Sequence, residues 1–266
     1  MLRVLICTLV VSLAPACKTF RPEDPKVSLG VSGMMLDLTG QGRMDSLIGA
    51  NKQVNDYVDI GHSLSLSGLN FGFGSSAVWG DGLAGAELHY LYWTSPELAR
   101  GTLTQDFGDL RRNDTIRSDS KLNQIRLQYI VKVAEYDIED VTLRAGVGAG
   151  MHHNFFDVDM RAANAARSQT IDFADDGIPV AIVRAQAEWK PLRGTIEGAF
   201  SHGNWGDIDG TVLDLKAVLE YRMQNGIWVW GGYRAYDLPA SGSKQGADFD
   251  FDMELAGWIF GIRMDF

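Results

Sequence analysis

The chain has 266 residues, a formal net charge of −10 and 45% hydrophobic residues. Its length accommodates one domain with a sizeable core, and thirty glycines against seven prolines suit strands in close backbone contact better than a disordered or fibrous chain. The acidic balance excludes any general electrostatic attraction to nucleic acid or to anionic lipid headgroups.

The chain begins MLRVLICTLVVSLAPAC. Arg3 supplies a positive start, Val4 to Leu13 an apolar run, and Ala14-Pro15-Ala16 a small-residue cleavage site. Residues 1–16 therefore read as a secretory signal peptide, too short to span a membrane as a helix. Cleavage there would leave Cys17 at the new N-terminus, a position for lipidation. Pro15, and Leu13 four residues before the cysteine rather than three, depart from a bacterial lipobox, so plain cleavage is the alternative. Cys7 lies in the signal peptide, which leaves the mature chain at most one cysteine and no internal disulfide. Residues 17–25, with Pro22 and Pro25, read as a short periplasmic tether, and 26–266 as the folded domain. Beyond residue 17 no apolar run approaches the roughly 18–20 residues of a membrane helix.

From residue 26 onward, segments alternate with period two, the mark of strands whose two faces meet different surroundings. In KLNQIRLQYIVKV, Ile125, Leu127, Tyr129, Val131 and Val133 share one face; Gln124, Arg126, Gln128 and Lys132 share the other. VTLRAGVGAGM, LRGTIEGAF and VLDLKAVLEYRM repeat the pattern. Ten strands are predicted, at 26–38, 66–78, 82–93, 119–133, 139–153, 177–190, 192–201, 211–223, 226–237 and 252–266. Each is long enough to cross a bilayer when tilted.

The connections alternate in length. Short turns fall at 79–82, 134–140, 190–194 and 223–226; longer polar loops fall at 39–65, 94–118, 154–176, 202–210 and 238–251. This is the order of a single antiparallel up-and-down transmembrane β-barrel, with short turns and both termini on the periplasmic side. Eight or twelve strands are the alternatives to ten. Aromatics near strand ends, Tyr90, Tyr92 and Trp93 outside and Trp79, Trp189, Tyr221, Trp228 and Phe266 inside, are expected in interfacial girdles.

The last strand reads GWIFGIRMDF. Trp258, Phe260, Ile262, Met264 and Phe266 recur at every second position, with Gly261, Arg263 and Asp265 between them. This ending resembles the terminal signature of bacterial outer-membrane β-barrel proteins, a class that includes small porin-like barrels. The resemblance implies integral insertion in the outer membrane of a Gram-negative cell envelope. It also implies recognition of that strand by the barrel assembly machinery, and outer-membrane lipid and lipopolysaccharide as surroundings.

On this assignment the inward faces carry Glu87, Arg126, Arg144, Arg184, Glu188, Arg193, Glu197, Asp214, Lys216, Glu220, Arg222 and Arg263. A barrel of about ten strands is narrow, and unpaired buried charges are costly, so these side chains are expected to pair into a network that plugs the lumen. Gly146, Gly148 and Gly150 would make room for opposing arginines or leave a pore wall smooth. The first functional reading is a structural or surface-interaction barrel whose long loops meet an extracellular ligand. The alternatives are a narrow channel for ions or small polar solutes, gated by the charge network, and a hydrolase acting at the outer rim.

Other motifs point to little chemistry. GVGAG at 146–150 opens no helix and so lacks the mechanism of a phosphate loop. His152 and His153 are adjacent on a strand and face opposite ways. Two acidic groups, Asp172, Asp175 and Asp176, and Asp248, Asp250 and Asp252, are hard-oxygen ligands in principle, but their spacing matches no calcium loop. No cofactor, metal or nucleic-acid partner is expected. Omptin-family proteases resemble the chain in strand count, and His202 with Asp207 and Asp209 could imitate half of their Asp–His arrangement. The family's local motifs are absent, so no catalytic residue is carried over.

Overall fold

The computed structural model describes residues 26–48, 51–64, 66, 68–95, 100–163, 166–174, 177–205, 208–224, 226–244 and 247–266. The signal peptide, the 17–25 tether and Cys17 lie outside the described residues.

Ten long strands form the wall among these residues: β1 (Lys26–Met44), β2 (Asn70–Gly80), β3 (Gly85–Ser95), β4 (Thr115–Ile138), β5 (Val141–Ala162), β6 (Ile178–Trp189), β7 (Leu192–Trp205), β8 (Ile208–Arg222), β9 (Ile227–Lys244) and β10 (Ala247–Asp265). Each pairs antiparallel with its sequence neighbours. The last pairs with the first, Val31 opposite Ile262, so the sheet closes and leaves no edge in the wall. The expected up-and-down barrel and the expected strand count both hold.

The strands run further than expected at the end of the long connections. β4 has 24 residues, more than twice the roughly 9–11 that cross a bilayer. The segments 202–210 and 238–251, expected as loops, are mostly paired strand: Trp205 lies opposite Ile208 and Lys244 opposite Ala247. The reason lies on the inner face. Phe249, Phe251, Met253 and Leu255 are all buried inside, so alternation persists after the outward face has turned charged.

The outward face records the membrane. Leu29, Val31, Leu127, Val183, Ile196, Leu219 and Ile262 are exposed around the wall. Aromatic side chains border this band: Phe71, Phe155, Phe200, Tyr233 and Trp258 on one side, Trp79, Tyr136, Trp189, Tyr221 and Phe266 on the other. Trp93 and Trp228 were expected in the girdles but turn inward, at 0% and 2% exposure. Beyond the outer girdle the outward residues become Arg117, Asp119, Lys121, Asp157, Asp159 and Arg161.

Inside the outer section lies an apolar core. Leu36, Leu38, Leu122, Phe156, Val158 and Met160 project from the wall, and Ile60, Leu64, Leu66, Leu103, Phe107 and Leu110 come from the β1–β2 and β3–β4 connections. Phe107 and Leu110 are fully buried. A hydrogen bond from Gly108 N to Met44 O (3.0 Å) ties one connection to the end of β1. The two connections thus fold into the barrel mouth instead of standing free. At the opposite end the β2–β3 turn, residues 81–84, also folds inward. Asp81 accepts hydrogen bonds from Leu83 N (3.0 Å) and Ala84 N (2.8 Å), and Gly82 takes φ +96°, a conformation glycine adopts without strain.

Candidate functional site

Below the apolar core the inward face is polar, because β3 to β9 place charged residues at matching heights. The centre is Arg184 on β6. Its guanidinium donates to Glu87 Oε2 at 2.9 Å and to Glu197 Oε2 at 2.8 Å, and also to the carbonyl of Leu83 at 3.2 Å. Arg126 on β4 donates to Glu197 Oε1 (3.0 Å) and Gln128 Oε1 (3.1 Å) and lies 3.1 Å from Asp214 Oδ2. Arg234 on β9 grips both oxygens of Asp214, each at 2.8 Å, and donates to Gln124 at 2.6 Å. Lys216 lies 3.3 Å from Glu197. Three arginines and three carboxylates, each group more than nine-tenths buried, thus satisfy one another. This is the arrangement that makes buried charge tolerable.

Nearer the inner mouth a second set forms a ladder along the wall. Arg144 donates to Glu135 (2.8 Å) and Glu188 (3.0 Å). Arg193 donates to Glu188 (3.3 Å) and lies 3.7 Å from Glu220. Arg263 lies 3.0 Å from Glu220 and 3.5 Å from Asp265. Acid and base alternate from β4 to β10. The Arg193 guanidinium sits 4.2 Å from the ring centre of Trp228, which donates to Asp265 at 2.8 Å. Arg222 stays exposed at the mouth, 5.6 Å from the same ring.

Eleven of the twelve expected lumen residues therefore enter two connected layers, and Arg222 marks the rim. Arg234, Trp228, His89, Gln124, Gln128 and His152 belong to the same layers but were not in the expected lumen set; Trp228 was expected in a girdle, and Gln124 and Gln128 on the polar face of their strand. For His89, Gln124, Gln128 and His152 the signal was present in strand parity with a named neighbour, as His89 shares it with Glu87, to which it comes within 2.9 Å; β9 offered no such neighbour for Trp228 and Arg234. The β5 glycines also face the neighbouring strand. A Cβ at Gly146 would meet Ile130, one at Gly148 the carbonyl of Tyr129, and one at Gly150 that of Leu127. They allow close approach of β4, and Gly146 lies opposite Arg184 of β6 in the sheet register.

Between the ladder and the opposite wall lies a cavity of about 460 Å³. It exists because β1 and β2 turn Ser28, Gly30, Ser32, Gly74 and Ser76 inward, opposite the long side chains of β5 to β10.

Trp258, Phe260, Ile262, Met264 and Phe266 all face outward, from 41% to 68% exposed. Asp248, Asp250 and Asp252 alternate with the inward Phe249 and Phe251, forming a row along the outside of β10. Asp250 takes up the Tyr57 hydroxyl and lies 3.8 Å from Arg43. Asp175 and Asp176 lie outside the described residues, as does the side chain of Asp172. No group of three potential ligands converges among the described residues. His152 accepts from Arg126 at 3.1 Å inside the barrel, and His153 faces out. His202 faces outward and its Nδ1 lies 3.0 Å from the Thr211 hydroxyl. Asp209 sits opposite Asn204, and Asp207 lies outside the described residues.

No family model and no curated protein matches the chain. Three solved structures illustrate what it is similar to. The outer membrane protease OmpT from Escherichia coli is 11% identical, with 94% of this chain and 99% of that chain covered and a TM-score of 0.46. The attachment invasion locus protein Ail of Yersinia pestis, solved with the heparin analogue sucrose octasulfate, is 10% identical, with 90% and 100% covered and a TM-score of 0.28. The translocator domain of the autotransporter NalP from Neisseria meningitidis is 10% identical, with 98% and 95% covered and a TM-score of 0.32. At these scores the likenesses assign no activity, and the fold rests on the strand pairing. A closed antiparallel barrel with an apolar outer belt, aromatic borders and a polar interior meets the bilayer's demand that every backbone group be paired; the chain is an integral β-barrel protein of the bacterial outer membrane.

Proposed function

We propose that this barrel is a plugged, rigid outer-membrane protein that acts through its outer surface, in a structural or surface-interaction role. The observation that carries this reading is the apolar layer in the outer section. Ile60, Leu64, Leu66, Leu103, Phe107 and Leu110 enter from two long connections and pack against Leu38, Phe156 and Met160. A filled apolar layer leaves no polar track for ions or sugars, whereas a channel needs one from mouth to mouth. The wall beyond the outer girdle presents Arg117, Lys121 and Arg161 beside Asp119, Asp157 and Asp159, chemistry suited to lipopolysaccharide phosphates and to an extracellular ligand. The outward row from Trp258 to Phe266 suits recognition by the barrel assembly machinery. Liposome swelling tests the reading. Vesicles carrying the refolded barrel should swell in isotonic arabinose no faster than protein-free vesicles; faster swelling would return the channel reading to first place.

A further inference from the structure

The cavity on the inner side of the charge network has a use that a plugged barrel does not require. It is closed outward by the central charge layer and the apolar core, and it reaches the inner mouth, where Lys26, Lys190 and Arg222 are exposed. Its lining is strongly unbalanced. Eleven lysine and arginine side chains face six carboxylates, in a chain whose net charge is −10. Counting Glu197 and Asp214, buried in the central layer, still leaves an excess of three positive charges. Lys26 and Lys190 have no carboxylate partner among the described residues. They form a cationic rim of the kind that concentrates anions at an opening.

Deeper in, Arg193 is nine-tenths buried and its Nε makes no hydrogen bond, while Arg263 Nε lies 3.5 Å from Asp265. A buried guanidinium N–H without an acceptor is costly. Both groups line the cavity, beside the ladder carboxylates they already share.

We propose that this inner vestibule is a binding site for a small polyvalent anion, of the di- or tricarboxylate or phosphate class, entering from the periplasmic side. The rim lysines attract it, and the guanidinium charges of Arg193 and Arg263, which share the Glu220 carboxylate, hold it. A cavity of about 460 Å³ takes a ligand of that size but not a folded partner.

The test is isothermal titration calorimetry of the refolded barrel in zwitterionic detergent at low salt, with citrate and inorganic phosphate as probes and putrescine as the opposite-charge control. Citrate or phosphate should bind and putrescine should not. Arg193→Gln should weaken anion binding by about tenfold or more, the worth of a charge-assisted hydrogen bond. Glu220→Gln, which frees the two arginines from a shared carboxylate, should tighten it by about threefold or more. Opposite signs in the two variants cannot arise from impaired folding. No anion binding, binding indifferent to both substitutions, or binding of putrescine as tight as that of citrate would overturn the proposal.

Discussion

Leu127 and Gln128 are neighbours with opposite fates. Leu127 is 56% exposed to lipid, while Gln128 is 2% exposed and bridges Arg126 and Glu87. Arginine at Leu127 should cost about 2–4 kcal/mol if the site lies near mid-bilayer. An inward site makes the control, and here the sequence alone misleads. Gln128 looks like a tolerant polar position, but it sits inside a filled network. Ser32, which lines the vestibule, is the better choice, and Ser32→Glu should change stability by no more than about 1 kcal/mol. Urea unfolding in lipid vesicles measures both, and equal costs at Leu127 and Ser32 would refute the face assignment. In the central layer, Arg184→Met should cost about 3–5 kcal/mol, because Glu87 and Glu197 would lose their main cation while remaining buried. A loss below about 1 kcal/mol would mean the pairing contributes little.

The strands were legible because period-two alternation is a local property, and all ten appear where residue parity put them. Their outer ends were not legible, because the outward face becomes charged above the membrane and mimics a loop. DFDFD shows the difficulty. Its aspartates suggest an acidic loop, yet its phenylalanines fill the core. The two plugging connections were missed for a different reason. Their apolar residues, such as Phe107 and Leu110, have no period, and only the closed wall gives them a place to go. Phe107→Ala should cost about 3–5 kcal/mol and should raise proteolytic cleavage within 100–114 while the barrel wall remains protected. Uniform loss of protection across wall and connection would contradict a separable plug. The connections are also pinned by charge. Asp114 accepts from Arg167 at 2.6 and 3.0 Å and from Arg111 N at 2.9 Å. The Arg167 hydrogen bonds hold its carboxyl below the usual carboxylate range. A depressed carboxylate pKa stabilises the fold above the unfolded value of about 3.9 and loses that contribution as pH falls through the folded value. Hydrogen exchange in 101–114 should therefore accelerate, after correction for intrinsic rates, as pH falls below about 4. Asp114→Asn should remove most of that acid response; an unchanged response would place the switch elsewhere.

At the scale of the molecule, the lumen divides into three layers: an apolar outer plug, a paired central network and a cationic inner vestibule. The sequence predicted charges inside the barrel, but it spread them over the whole height. Which of them meet depends on register across β3 to β10, and strand parity alone does not fix register. On the function proposed above, the three layers make the barrel one-sided, accessible from the periplasm and shut toward the outside. The direct measurement is single-channel conductance in a planar bilayer, wild type beside Arg144→Ala. Both should be silent, because the apolar layer is the barrier and Arg144 lies on its inner side. Steady wild-type openings whose size or selectivity changes with Arg144 would contradict the account and make this barrel a channel.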